Sequence, residues 1–269
     1  MSGDKRPIGI FDSGIGGLTV AAAIARAMPH EDIVYFGDTA HLPYGEKSPE
    51  AIRSFSTGIA RFLIDQNCKA IVIACNTASA IAAASVRQVA GKIIPVINVI
   101  DPTVAHVAEH FKKGKIGVIA TKATVNSRSY AKRIAKENPA LQVTMLATPL
   151  LVGMVEEGFF SNNISQAIID SYLSKPNLKE LDGLILGCTH FPLIRKEVER
   201  FYKNSVEVID STEIVARHTH HILERRGILN TQGRASHRFY VSDLTASFAE
   251  STAIFFGKKI KLERKNLWD

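Results

Sequence analysis

Two cysteines occupy matching settings. Cys75 ends the apolar run Ile71-Val72-Ile73-Ala74 and is followed by Asn76-Thr77; Cys188 ends Leu184-Ile185-Leu186-Gly187 and is followed by Thr189-His190. An apolar run of that length closing on small polar residues predicts a buried parallel strand whose carboxyl end opens into a loop, where open α/β sheets put their ligands. Two such ends on one chain suit a reaction that needs a group on each side of a substrate. A free thiol, with a pKa of about 8.5, is mostly protonated at neutral pH, and a helix N-terminus or a neighbouring cation lowers that value. Both cysteines stand just before expected helix starts. As a pair they could act as two acid/base groups, as a metal site with His190, as a redox couple, or as buried packing. Packing does not call for polar residues after each strand, and three ligands split over two loops without a C-x-x-C unit make a poor zinc set. Cys68, in Gln66-Asn67-Cys68-Lys69, has no such setting and reads as packing.

His190 lies two residues beyond Cys188, on the same side of an extended stretch, and an imidazole beside a thiol tunes its ionisation. Asp12-Ser13-Gly14-Ile15-Gly16-Gly17 follows the first apolar run and opens a helix. It is not a dinucleotide loop, because Thr19 stands where that pattern needs Gly or Ala. A glycine-rich strand-to-helix turn still offers backbone N–H groups to a carboxylate. Asp12 could exchange a proton with, or orient, a nearby group or a substrate ammonium, and Ser13 could hydrogen-bond a carboxylate; alternatively Asp12 caps the following helix. His218, His220 and His221 fall in a charged helix near Arg217 and Arg225-Arg226, where a solvated face is the simpler reading than a metal site.

These residues need a scaffold, and the chain alternates strand-length apolar runs with amphipathic helical segments, which predicts an α/β class with parallel sheets. Strands are expected over Ile8–Phe11, Ile33–Phe36, Ala70–Ala74, Val96–Val99, Ile116–Ala120, Val143–Ala147, Leu184–Gly187, Val206–Ile209, Arg238–Val241 and Ile260–Glu263. Helices are expected over Leu18–Met28, Pro49–Gln66, Thr77–Val89, Val125–Lys136, Asn163–Leu173 and Leu193–Tyr202. Ile8-Gly9-Ile10-Phe11-Asp12-Ser13-Gly14 resembles Ile116-Gly117-Val118-Ile119-Ala120-Thr121-Lys122, and each precedes its cysteine by nearly the same interval. This repeat predicts two pseudo-symmetric lobes, each an open, mainly parallel sheet flanked by helices. A boundary near Asn98-Val99-Ile100-Asp101-Pro102 opens the second lobe, and Ile209-Asp210-Ser211 returns the chain to the first. The lobes are thus residues 1–98 with 210–269 (the Cys75 side) and 99–209 (the Cys188 side), with the site between them.

The bulk numbers allow this. The 269 residues, 46% of them hydrophobic, can build real cores, and three cysteines point to a reducing compartment, the cytoplasm, rather than to a disulfide framework. No run is long and apolar enough to span a membrane, and the N-terminus lacks a signal-type apolar core. Lys and Arg number 33 against 26 Asp and Glu, a net charge of +7, which favours anionic ligands. The basic residues are dispersed and no aromatic-basic signature is present, so nucleic acid is not an expected partner.

Asp12-Ser13-Gly14-Ile15-Gly16-Gly17-Leu18-Thr19-Val20, Pro43-Tyr44-Gly45, Ala74-Cys75-Asn76-Thr77-Ala78, the segment Ile116–Tyr130 and Gly187-Cys188-Thr189-His190-Phe191-Pro192-Leu193, in order across most of the chain, resemble the glutamate racemases of the aspartate/glutamate racemase family. The resemblance implies two α/β lobes and cofactor-independent, metal-free interconversion of L- and D-glutamate, supplying D-glutamate for peptidoglycan. It implies that Cys75 and Cys188 are the catalytic acid/bases, with Asp12 assisting Cys75, His190 assisting Cys188, and Glu156 as the acidic residue near the second thiol. Substrate contacts fall by the same resemblance on Asp12, Ser13, Tyr44, Gly45, Asn76, Thr77, Thr189 and His190. A homodimer is implied too, and some family members contact DNA gyrase, which the dispersed basic charge neither supports nor opposes. Aspartate is the nearest alternative substrate, since a fold does not fix one. The chain departs from the family at His41, where members often carry Arg two residues before Pro-Tyr-Gly.

Overall fold

The apolar runs assemble into two separate sheets in the computed structural model, which describes residues 3–268. The chain starts with β1 (Ile8–Asp12), α1 (Leu18–Ala27), β2 (Ile33–Gly37), α2 (Pro49–Asp65), β3 (Ala70–Ile73), α3 (Asn76–Ile81), α4 (Ala83–Ala90) and β4 (Val96–Asn98). After α5 (Ile100–His110) come β5 (Gly114–Ala120), α6 (Lys122–Ser127), α7 (Ser129–Glu137), β6 (Leu141–Ala147), α8 (Pro149–Glu156), α9 (Asn163–Leu173), β7 (Gly183–Gly187), α10 (Arg195–Phe201) and β8 (Glu207–Ile209). Then α11 (Ser211–Arg225) leads back to β9 (His237–Val241), α12 (Ala246–Phe256) and β10 (Leu262–Arg264). One sheet runs β10-β9-β2-β1-β3-β4 and the other β6-β5-β7-β8, and every ladder described is parallel. β1, β2, β3 and β7 are buried at every residue, as parallel strands covered by helices on both faces must be.

The repeat seen in the sequence has a counterpart in topology. β1 and β5 hold corresponding inner positions, β2 and β6 flank them on one side, and β3 and β7, the strands that lead to the two cysteines, flank them on the other. One apolar core joins the sheets, since Ile10 and Val72 of the first share a cluster with Val118 and Ile185 of the second. Helix α11 is the bridge, packing on α1, α5 and β7 with Val215, Ala216 and Leu223 buried. Burial of Val215 and of Leu223 stabilises by roughly 2 kcal/mol each. A second cluster, including Phe36, Ile59 and Leu63, fills the other face of the first sheet under α2.

All ten expected strands form, the last beginning at Leu262 rather than Ile260. The helices depart from expectation where tertiary contacts intervene. The expected Thr77–Val89 helix breaks at Ala82 (φ −111°, ψ −6°), so that α3 packs on α6 while α4 packs on α2. The expected Val125–Lys136 helix breaks at Arg128, which is left-handed (φ 54°, ψ 21°), a conformation that costs a non-glycine residue about 1–2 kcal/mol. Helix α5 covers the stretch read as a boundary. Pro102 is its third residue, where the missing N–H is one of the four that have no helical partner. Phe191–Ile194 forms a 3-10 turn, so α10 starts at Arg195 rather than Leu193.

A buried ion pair secures the return of the chain. Lys69 Nζ lies 2.6 Å from Glu31 Oε2, both side chains being fully enclosed. The ammonium also donates to the carbonyls of Asp4 (2.5 Å) and Ile228 (2.8 Å), and Glu31 Oε1 accepts from the Asn230 N–H (2.7 Å). One node thus holds the N-terminal segment, the start of β3 and the stretch after α11. Removing one partner strands a buried charge, so Glu31→Ala is expected to cost about 3–5 kcal/mol in urea unfolding, and adding Lys69→Met to it should recover most of that loss.

Candidate active site

Cys75 and Cys188 emerge from the carboxyl ends of β3 and β7 and line one cavity between the sheets. Ser13, Leu42, Pro43, Tyr44, Gly45, Asn76, Thr77, Thr121, Val152, Thr189 and His190 complete the wall. Its free volume is about 30 Å³, room for a water or two. Every sequence-derived candidate therefore faces this cavity except Asp12 and Glu156, which sit behind the wall and touch residues that form it. Leu42, Pro43, Thr121 and Val152 were not among those candidates. Thr121 had a visible signal, because it is the repeat partner of Ser13; the apolar three had none.

Cys75 caps α3. Its Sγ accepts from the Ala78 N–H (3.4 Å) and lies 3.6 Å from Ser13 Oγ. Burial, reinforced by the neighbouring Asp12 charge, pushes its thiol up to about 12, so it is protonated at neutral pH. Asp12 ends β1 and is fully buried. Its Oδ2 accepts from the Gly17 (2.9 Å) and Gly14 (3.2 Å) N–H groups, while Oδ1 is buried without a partner among the described residues. The glycine-rich turn thus spends two of its N–H groups on its own aspartate. Burial raises the Asp12 pKa against the opposing pull of His190 and these amides.

Cys188 has different company. His190 Nδ1 lies 3.7 Å from its Sγ, and His190 Nε2 lies 2.9 Å from Glu156 Oε1. Burial alone would lower the histidine pKa, but hydrogen bonds and negative charge from Cys188 and Glu156 outweigh it and hold the imidazole up at about 10. At neutral pH the ring is therefore an imidazolium, held between the Cys188 sulfur and the Glu156 carboxyl group. Glu156, the last residue of α8, is the acidic residue that reaches His190. Gly16 admits this ring, since a Cβ there would lie 2.5 Å from His190 Cε1.

The rest of the wall is tied down from behind. The Tyr44 hydroxyl donates to Asp38 Oδ2 (2.7 Å), and His41 Nδ1 meets the same carboxylate at 2.9 Å. Because a carboxylate only accepts, His41 carries its proton on Nδ1; its ring stacks on Phe55, with centroids 4.0 Å apart, and meets Trp268 edge-on. The departure at His41 is thus a neighbour of the site that touches Asp38, not the cavity. Thr77 Oγ1 lies 2.8 Å from Thr121 Oγ1 and 3.2 Å from Thr124 Oγ1 across the two lobes. Thr189 closes the wall beside Cys188, and its carbonyl accepts from Thr19 Oγ1 (3.3 Å). Gly45 lets its loop meet the second lobe, as a Cβ there would lie 2.8 Å from Thr121 Cβ. Cys68 packs against Leu63 and Gly9, is buried, and has its thiol pushed up to about 12 by that burial. Among the described residues no group of three His, Cys, Asp or Glu is arranged to hold a metal ion, the histidines of α11 included.

Residues 18–219 match the family model for Asp/Glu/hydantoin racemases. A curated glutamate racemase of Neisseria meningitidis is 43% identical over 261 residues, covering 96% of each chain. Among solved structures, the glutamate racemase of Francisella tularensis in complex with D-glutamate superposes with a TM-score of 0.93 at 43% identity, over 98% of both chains. A glutamate racemase isoform of Bacillus anthracis gives a TM-score of 0.92 at 36% identity, over 97% of this chain and 98% of that one.

The electrostatics of the Cys188 side can be measured directly. Glu156→Gln removes one of the two groups that raise His190, so its pKa, followed by NMR of the ring carbons, should fall from about 10 by roughly one unit or more, each unit being about 1.4 kcal/mol. An unshifted titration would show that Cys188 alone sustains the imidazolium.

Proposed function

The chain belongs to the Asp/Glu/hydantoin racemase family and is a racemase, and on that premise we propose that it interconverts L- and D-glutamate by a two-base mechanism at Cα. Inversion needs a base on one face of the carbon and an acid on the other. What supports this reading most is one cavity lined by two thiols in unlike settings, Cys75 protonated and Cys188 beside an imidazolium. With Cys188 as the base the site acts on the L-enantiomer. Cys188 removes the Cα proton as Cys75 delivers its own to the opposite face, and the product leaves Cys75 as the thiolate. The return reaction starts from Cys75 as base and Cys188 as thiol.

Each thiol has its own helper. Asp12 and Cys75 do not both ionise comfortably, since the Asp12 charge is among the causes that raise the thiol. A carboxyl whose own pKa burial raises can carry a proton while Cys75 is the thiolate. His190, fixed by Glu156, steadies negative charge on Cys188. With no electron sink in this scheme, the carbanion relies on preorganised donors aimed at the substrate carboxylate. The Nδ2 of Asn76, which has no partner among the described residues, the Thr77 and Thr189 hydroxyls and Ser13 supply them. A cavity this small closes around a substrate only after the lobes part, so we take residues 1–98 with 210–269 and residues 99–209 as the moving units. Closure then excludes water and strengthens each contact.

Glutamate is the preferred substrate because the similar chain of Francisella tularensis binds D-glutamate. The product D-glutamate would supply peptidoglycan synthesis, and three free, buried cysteines suit the cytoplasm. The homodimer implied by the family resemblance belongs to the same proposal; exposed Leu150 and Ile164 beside a groove on the second lobe give it an apolar face.

Incubating either glutamate enantiomer in heavy water without added cofactor should produce the other enantiomer with deuterium at Cα, while aspartate turns over far more slowly. Cys75→Ser and Cys188→Ser should each lower kcat by about 10²–10⁴-fold. Full activity in the Cys188→Ser protein would refute the two-base scheme.

A further inference from the structure

Asn76 lies in the first lobe and Tyr130 in the second, on α7, yet the Tyr130 hydroxyl is 2.7 Å from Asn76 Oδ1. Both side chains are buried, Tyr130 completely. Burial, with the nearby Cys188 charge adding to it, raises the phenol pKa, so at any working pH this hydroxyl is a donor with one proton to give. That proton goes to Asn76 Oδ1. The amide is planar and its two ends are distinct, so an oxygen engaged by Tyr130 obliges the Nδ2 group to face the other way. Asn76 Nδ2 is buried, has no partner among the described residues, and belongs to a side chain that lines the cavity with both cysteines.

From this juxtaposition we infer that Tyr130 is a positioning residue of the reaction, holding Asn76 so that its Nδ2 donor is presented to the substrate carboxylate. The inference rests on the racemase reading of the cavity and adds a residue to it. The local backbone is built for the contact. The left-handed Arg128 ends α6 and restarts the chain as α7, and Ser129 Oγ anchors the restart by donating to the Ala80 carbonyl of the first lobe (3.1 Å). Because donor and acceptor come from different lobes, the oriented amide exists only while the lobes are together. A recognition group is thereby completed by closure rather than carried by either half.

The test is a double-mutant cycle on kcat/KM in both directions. Tyr130→Phe keeps the ring and removes one hydroxyl, and should lower kcat/KM about five- to tenfold, the worth of one hydrogen bond. The loss is the same for L- and D-glutamate because a racemisation has an equilibrium constant of one, so agreement between the two directions checks the assay and not the assignment. In the Asn76→Ala protein the same change should cost nothing more. Multiplying losses, or an unchanged kcat/KM in Tyr130→Phe, would overturn the assignment while leaving the racemase intact. An activity-independent arm follows the side-chain amide of Asn76 by ¹⁵N NMR. A protected, slowly exchanging pair in the wild type should become solvent-exchanging in Tyr130→Phe, with thermal unfolding showing the variant folded. An identical amide signal in the two proteins refutes the inference, whatever substrate the cavity takes.

Discussion

Exclusion of water from the seam between the two sheets is the constraint on which the rest of the site depends. Inside it, ionisation is decided by a few fixed neighbours. Cys75 loses solvent and gains only an anionic neighbour and weak donors, so its proton stays; His190 loses solvent too, but its contacts with Cys188 and Glu156 more than replace what it lost. In water Cys75 and His190 would both drift back to their ordinary values. The scaffold serves this exclusion. Parallel strands buried on both faces deliver the cysteines, and α11 fills the space between the sheets with aliphatic side chains.

The duplication of β1 and β5, β3 and β7 sets the two thiols in corresponding positions, but the support behind them is not duplicated. Asp12 ends β1, whereas its counterpart at the end of β5 is Ala120, which has no charge to offer. On the other side, the imidazole beside Cys188 matches Thr77 beside Cys75 in position, and Thr77, whose hydroxyl meets Thr121 and Thr124, brings no charge to its thiol. Symmetric delivery and asymmetric support together give one pocket two thiols in different surroundings.

Much of this was legible in the chain, and what was not has a physical reason. Strands ending in Cys75 and Cys188 stand out because two-sided burial demands uninterrupted apolar runs, and because the polar residues after them serve no packing purpose. Glu156 carried no local signal; beside Glu157 only the fold says which carboxylate reaches His190. Leu42, Pro43 and Val152 escape because an apolar side chain in a loop or helix looks the same whether it lines a cavity or a core. The helix breaks at Ala82 and Arg128 escape for another reason, since each lies where contacts between lobes override local helical preference. Helix α5 was not among the expected helices and covers the stretch read as a lobe boundary, where Pro102 is tolerated in the first turn.

The second sheet is inserted into the first, so the chain passes between them twice, once through β4 into α5 and once from β8 into α11. Two tethers define a line. Halves joined by a single linker could slide or twist over one another, but halves joined at two points are left with a swing about the axis through them, as a door hung on two pins. The buried Lys69–Glu31 node clamps the segment that follows the second pin, at Ile228 and Asn230. If the lobes part as proposed, opening would follow one angular coordinate, and Cys75 and Cys188 would come back to one shared cavity each time the door shuts.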